Sequence, residues 1–249
     1  MERKDYFSEQ AKAYASFRPA YPEELYEFLF SHLENKHTAW DCATGNGQVA
    51  QRLARDFASV YATDISAQQL THAHRSSNIT YSVAAAEKTD FGDDQFDLIT
   101  VAQALHWFDL SRFYDEVNRT AKEGALLAVW GYSLLSVDEA VDPLFEDFYY
   151  NRIGPYWDPA RKLVENHYAD ISFPFDAIQC PDFFIKVNWT ADQFCGYMSS
   201  WSATQKYIRR HGVDPVKDLR DDVGGIWKPG ETKLVTFPVF MKLGRIHKS

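Results

Sequence analysis

The 249-residue chain has little of what marks several classes of protein. Cysteine is scarce: Cys42, Cys180 and Cys195 are odd in number and lack metal-ligand spacing, so no metal site and no disulfide framework is expected. Buried thiols in a reducing compartment are the simplest account of them. Long apolar runs are missing too. The longest candidate, around Ala125–Tyr132, falls far short of the ~18 residues of a membrane helix, so no membrane insertion is expected. Positive charge is in deficit, with 26 Lys and Arg against 35 Asp and Glu and a net charge of −9. A nucleic-acid or anionic-membrane binder needs a concentrated basic face, and this balance argues against one. The opening Met1-Glu2-Arg3-Lys4-Asp5-Tyr6 is charged and leads into no apolar stretch. No secretory signal is therefore expected, and a cytoplasmic location is. There is no internal repeat and no low-complexity tract.

What is present is an ordinary globular balance of 45% hydrophobic and 24% charged residues, with an unusual 16% aromatic. Eighteen Phe, 14 Tyr and 7 Trp must serve either a core or a pocket, and composition does not choose between them.

Pro22 suits a first helical position, with Glu23 and Glu24 favouring the helix dipole and Leu25, Phe28, Leu29 and Leu33 at helical spacing. Strands are then expected at Thr38–Cys42, Ser59–Asp64, Ile79–Ala84, Phe96–Ala102 and Ala125–Trp130. Helices are expected through Val49, Leu53 and Phe57, over Ala67–His74, and near Ser111–Ala121, with Gly124 as a stop signal. Such alternation predicts a mostly parallel sheet with helices on both faces, and the near-continuously apolar Asp97–Ala102 suits its centre. The rhythm breaks after Tyr132. Residues 133–182 carry Pro143, Pro155, Pro159, Pro174 and Pro181 and read as an irregular, partly helical cap. Strand Phe183–Trp189, a helix from about Asp192 and a final strand Lys233–Gly244 follow. The expected organisation is one domain over 1–249. It comprises an N-terminal lid or arm and helix (1–35), a cofactor-binding core (36–132), a cap insert (133–182) and C-terminal elements completing the sheet (183–249).

The most informative segment is Ala39-Trp40-Asp41-Cys42-Ala43-Thr44-Gly45-Asn46-Gly47-Gln48-Val49-Ala50. A strand entering Gly-x-Gly and then a helix lets backbone approach a ligand closely and aims helix N-terminal amides at it. Nineteen residues beyond Gly45, Asp64 ends the next strand, where a carboxylate can accept both hydroxyls of a ribose. The order strand, turn, helix, strand, acid points to a nucleoside-bearing cofactor. Gly45-x-Gly47-x-x-Ala50 fits a dinucleotide and S-adenosylmethionine equally. Asp41 separates them, because a carboxylate beside the turn disfavours a pyrophosphate and favours a cationic methionine moiety. None of the 14 tyrosines has Lys four residues on, so the Tyr-x-x-x-Lys of short-chain dehydrogenases is missing as well.

From Tyr14 to Tyr132 the sequence resembles the class I S-adenosylmethionine-dependent methyltransferases. Within them it is most similar to the group holding trans-aconitate and ubiquinone/menaquinone-biosynthesis methyltransferases. The turn segment, Ala62-Thr63-Asp64-Ile65-Ser66, Ala85-Ala86-Glu87 and Phe96–Phe108 carry the resemblance; Ala43 departs from it where the family usually has Gly. The resemblance implies a Rossmann-like, seven-stranded, mostly parallel sheet whose last strand is antiparallel, with a cap inserted after the fifth strand. It implies that Ala43, Gly45 and Gly47 lie under methionine and ribose, that Asp64 holds the ribose hydroxyls and that Ile65 packs on adenine. Ala86 and Glu87 would meet the adenine edge, and Gln103 and Ala104 the methionine amine. Tyr14 and Arg18 could close over the cofactor, with Arg18 pairing a substrate carboxylate, or belong to an ordinary surface arm. His106, beside Trp107, is either a general base or hydrogen-bond donor to substrate, or a satisfied histidine next to a core ring. Trp130, Tyr132 and Trp157 either line the acceptor pocket or form the cap's own core. The expected activity is methyl transfer to a small molecule, a carboxylate being one candidate. A nicotinamide-dependent oxidoreductase and a non-catalytic S-adenosylmethionine-binding protein are the alternatives. Oligomeric state is not legible.

Overall fold

The computed structural model describes residues 19–248; Tyr14 and Arg18 lie outside the described residues. These fall into two compact units. The first takes Pro22–Ser133, Lys162–Phe183 and the chain from Val239 onward; the second takes Leu134–Arg161 and Phe184–Pro238, with Tyr21. The insert read from the sequence thus divides at Arg161, its later part joining the first unit.

The strands are β1 (Thr38–Cys42), β2 (Ser59–Asp64), β3 (Ile79–Val83), β4 (Phe96–Ala102), β5 (Ala121–Tyr132), β6 (Asp176–Ile178), β7 (Phe183–Trp189) and β8 (Lys233–Arg245). Seven run in the order β3-β2-β1-β4-β5-β8-β6, and β7 pairs β8 off that path. Strands β3, β2, β1, β4 and β5 are parallel, and β8 is antiparallel to both β5 and β6. The fold is α/β and Rossmann-like, with the final strand antiparallel as expected and one strand more than the seven implied.

In the first unit β4 is buried from Phe96 to Val101, as a strand covered on both faces must be. Helix α1 (Glu23–Ser31) begins after Pro22 and buries Leu25, Tyr26 and Leu29. Helix α2 (Gln48–Leu53) follows the glycine turn, α3 (Ala67–Thr71) follows β2, and α4 (Leu110–Thr120) starts at Asp109, whose carboxylate accepts the Arg112 N–H. Rings fill one layer beneath the sheet, where Trp40, Tyr61, Phe91, Phe96 and Phe113 meet at centroid distances of 4.9–6.4 Å.

Two boundaries differ from expectation for physical reasons. Helix α3 stops at Thr71 rather than His74, because beyond Leu70 only Ala73 is buried and no apolar face remains to extend. Strand β5 begins at Ala121, and Gly124 does not stop the chain. It sits inside the strand at φ 76°, where the β4–β5 register shifts, and its N–H still bonds Ile246 O at 2.9 Å. A left-handed glycine absorbs the bulge that a side chain would resist.

In the second unit β7 and the first half of β8 are joined by helices Asp142–Asp147, Ala191–Ser199, Ser202–His211 and Val216–Gly224. Its core is again built of rings. Tyr149, Trp157 and Trp201 stand 5.1–5.7 Å apart, and Phe145, Phe194, Tyr197, Trp227 and Phe237 extend the cluster.

Candidate active site

Because β1 to β4 are parallel, their C-terminal ends share one edge of the sheet. The strand order reverses between β1 and β4, the position at which open α/β sheets place ligands. Every cofactor-side residue expected from the sequence and described in the structure comes to this edge.

The turn after β1 is built by three left-handed residues, Ala43 (φ 54°), Gly45 (φ 59°) and Gly47 (φ 82°). Ala43 adopts the conformation that glycine ordinarily supplies, which explains why the family usually has Gly there. Asp41 ties the turn from behind. It is 1% exposed; its Oδ2 accepts the Ala50 N–H (3.0 Å) and the Thr44 hydroxyl, and its Oδ1 accepts the Thr100 hydroxyl (2.9 Å). Burial pushes its carboxyl up to about 6, against the lowering effect of those three donors. Asp41 is thus an internal anion fastening turn, helix and central strand together. Thr44 and Thr100 were missed from the sequence, though a lone threonine in an otherwise apolar strand was a legible clue.

Asp64 closes the turn from the next strand. Its Oδ2 accepts the Gly45 N–H and its Oδ1 the Ser66 N–H, both at 2.8 Å. A carboxylate only accepts hydrogen bonds, so a ribose presented to it would have to donate its hydroxyls. Ile65 beside it is 55% exposed, an apolar side chain left facing outward at the strand end. After β3, Ala86 is buried, and Glu87 is held by the Asp109 N–H on its Oε1 at 2.8 Å. After β4, Gln103 is left-handed (φ 58°), with its N–H on Trp130 O (2.9 Å) and its amide on Tyr132 O (3.2 Å). Ala104 then leads into the short helical turn Leu105–Trp107 that presents His106 and Trp107, their rings 4.7 Å apart.

His106 Nδ1 lies 2.9 Å from the hydroxyl of Tyr168, a residue the sequence did not single out. Of the other rings that the sequence offered for an acceptor pocket or a core, Trp130 is fully buried and edge-on to Tyr26, and Tyr132 is 5% exposed. Trp157 belongs to the second unit's ring cluster, with the Arg161 guanidinium 5.1 Å over its face. Among the described residues, no group of three or more His, Cys, Asp or Glu side chains could hold a metal ion, and no helix is long and apolar enough to cross a membrane.

The turn fits an S-adenosylmethionine moiety on its sterics. Among the described residues, a Cβ built on Gly45 meets nothing within 4 Å, so no described side chain fills the space above it. One built on Gly47 would overlap the Tyr81 hydroxyl and crowd its ring at 3.1 Å. The two glycines should therefore fail differently. Gly47→Ala combines left-handed strain with overpacking, about 2–4 kcal/mol together, and should lower Tm by roughly 5–10 °C in a thermal melt. Gly45→Ala should cost about 1–2 kcal/mol of strain but weaken S-adenosylmethionine binding at least about tenfold by calorimetry, because its methyl enters the open space.

Comparison with known proteins supports the same identity. The family model of the methyltransferase domain matches residues 40–129, which is the stretch from the turn to β5. A Dictyostelium discoideum protein described as a methyltransferase is 35% identical over 249 residues, covering 97% of this chain and 95% of that one. The solved structure of a type II methyltransferase from Anaeromyxobacter dehalogenans is 36% identical, covers 94% of this chain and 100% of that one, and superposes with a TM-score of 0.87. The ubiquinone/menaquinone biosynthesis C-methyltransferase of Rickettsia bellii is 27% identical over 124 residues, 44% of this chain and 48% of that one. The glycine turn, the acid that ends β2 and similarity along nearly the whole chain converge: this chain belongs to the class I S-adenosylmethionine-dependent methyltransferases.

Proposed function

We propose that the enzyme methylates a small molecule held beside His106, and that His106 hydrogen-bonds or deprotonates the acceptor. Bound S-adenosylmethionine supplies an electrophilic methyl group on a sulfonium. The chain's residues do the rest. Asp64 would accept from the ribose hydroxyls, Ile65 would pack on the adenine, and Ala86 and Glu87 would meet its edge. Ala43, Gly45 and Gly47 would lie under the methionine and ribose, with Gln103 and Ala104 nearest the methionine amine. Catalysis of this displacement is chiefly alignment of acceptor, methyl and sulfur. Trp107 and Tyr132 would shape the acceptor side, with Trp130 supporting them from the core of the same unit. The observation that carries the reading is the His106 imidazole, presented just past the C-terminal end of β4 with one ring nitrogen already committed to Tyr168. The resemblance to trans-aconitate methyltransferases supports a carboxylate acceptor through Arg18, which lies outside the described residues. The net charge of −9 supports a small acceptor over a nucleic acid.

The test uses transfer of labelled methyl from S-adenosylmethionine to a panel of small carboxylic acids, phenols and amines. His106→Ala should leave S-adenosylmethionine affinity within about twofold and lower turnover by about 10²–10⁴ for an acceptor that must lose a proton. A carboxylate acceptor is already ionised, so there the loss would fall mainly on KM. Unchanged turnover and KM in His106→Ala would sink the assignment.

A further inference from the structure

A serine and a histidine meet at the C-terminal edge of the sheet, outside every role assigned so far. Strand β5 ends at Tyr132, and the hydroxyl of the next residue, Ser133, lies 2.6 Å from His167 Nε2. His167 follows the helical turn Arg161–Glu165, which closes with the Tyr168 N–H on Leu163 O (2.8 Å) and the His167 N–H on Val164 O (2.9 Å). That pair of bonds is the Schellman pattern, whose first residue beyond the helix is left-handed and is usually glycine. His167 takes that position at φ 52°, and Tyr168 after it is left-handed as well at φ 55°. A glycine would close this helix end without strain, so the turn itself does not call for an imidazole. Strained residues persist only where the surroundings over-determine them, and they gather at binding sites. Here the His167 ring lies flat on Phe240, with centroids 4.9 Å apart and planes at 18°. Phe240 stands opposite Gly131 on β5, where a Cβ would come within 2.6 Å of the Phe240 ring and 3.3 Å of Gln103 Oε1. The stacked rings therefore adjoin Gln103, while the Tyr168 hydroxyl, one residue beyond His167, is 2.9 Å from His106 Nδ1. All of these residues belong to the first unit, and the His167 side chain among them is exposed.

We propose that Ser133 and His167 are a recognition pair that binds a carboxylate of the acceptor. The inference rests on the acceptor lying beside His106, as proposed above, and adds its substrate class, a small carboxylic acid. The bond between the two side chains leads to the same result in either direction. A neutral pair holds two donor hydrogens, the serine O–H and one imidazole N–H, and the mutual bond uses one of them. If Ser133 donates to Nε2, the Nδ1–H is left to donate outward. If Nε2–H donates to Ser133, the hydroxyl hydrogen is left instead. A protonated ring leaves both, and adds a positive charge. Among the described residues neither side chain has another polar partner, so the remaining donor is available to a ligand oxygen. A carboxylate accepts it in a charge-assisted bond, which a neutral amide of the same shape does not match. The carboxylate is an anchor: no bond forms or breaks at the pair, and the methylated atom lies toward His106.

The test is calorimetric binding of benzoate, phenylacetate, succinate and citrate, each against its amide, to the full-length protein saturated with S-adenosylhomocysteine. Wild type should bind at least one acid about fivefold or more tighter than its amide, the difference between a hydrogen bond to a charged and to a neutral group. His167→Asn removes the imidazole and keeps a residue that accepts the left-handed conformation. It should weaken that acid about tenfold and leave the amide within about twofold. Ser133→Ala should weaken the acid about threefold. Both variants should bind S-adenosylhomocysteine as wild type does, which separates lost recognition from lost fold. For an acid that is methylated, the effect should fall on KM rather than kcat, a split that a merely structural pair would not produce. If no acid is preferred over its amide, or if the preference survives either variant, the proposal is overturned. Should His106→Ala keep turnover while His167→Asn loses the acid preference, the reading of His106 fails and the pair stands. Should His106→Ala lose turnover while the preference survives His167→Asn, only the pair's role fails.

Discussion

Asp64→Ala should weaken S-adenosylmethionine and S-adenosylhomocysteine binding by about 10²-fold or more in a calorimetric titration, the largest loss expected of any single site residue. Two hydrogen bonds from ribose hydroxyls to a carboxylate are worth about 1.5–3 kcal/mol each, and about 3 kcal/mol corresponds to roughly 10²-fold. The alanine also frees the Gly45 N–H, so the turn loses its tie to β2 while Asp41 still holds it to α2 and β4. Stability should therefore drop by only about 1–2 kcal/mol. Asp64→Asn is not the mild alternative it resembles on paper. Both carboxylate oxygens face backbone N–H donors, Gly45 on one side and Ser66 on the other, so an asparagine must turn its own NH₂ against one of them. Its binding loss should approach that of alanine. If either variant binds within about fivefold of wild type, Asp64 does not hold the ribose.

Much of this site could be read in the chain, and the parts that could not share a cause. Strands β1, β2 and β4 have the predicted ends because each is short, apolar and bounded by turn residues, so local pattern and burial coincide. The glycine turn and Asp64 were legible for the same reason: backbone conformation and one acid at a fixed spacing define them. Gly124 misled because a left-handed glycine marks a strand bulge as well as a helix stop, and only the β4 partner decides between them. Tyr168 had no sequence cue at all. Its contact with His106 spans 62 positions and depends on a helix end that uses histidine where glycine is usual. The aromatic excess was visible as composition, but its division between two ring-built cores is a property of packing.

Asp41 shows how an acid readable in sequence changes meaning once buried, and it carries a pH prediction. Its folded value of about 6 lies above the roughly 3.9 of an unfolded aspartate. The folded chain therefore binds an extra proton between these values. Asp41's contribution to stability is full below about pH 4 and is lost as the pH rises through 6. The two-unit displacement corresponds to up to about 3 kcal/mol of destabilisation above pH 7. Asp41→Asn removes that penalty and keeps an oxygen for the Ala50 N–H, while its NH₂ can donate to the Thr100 oxygen. The variant should therefore gain on wild type as the pH rises from 5 to 8 in denaturant titrations. The same substitution should harm binding. A sulfonium near the turn favours the ionised carboxylate, so wild-type affinity for S-adenosylmethionine should tighten from pH 5 to pH 7, and more than its affinity for the neutral-sulfur S-adenosylhomocysteine. In Asp41→Asn that pH-dependent difference between the two ligands should vanish. A variant that gains no stability at alkaline pH, or that keeps the difference, would mean that the charge of Asp41 is compensated inside the turn and never reaches the cofactor.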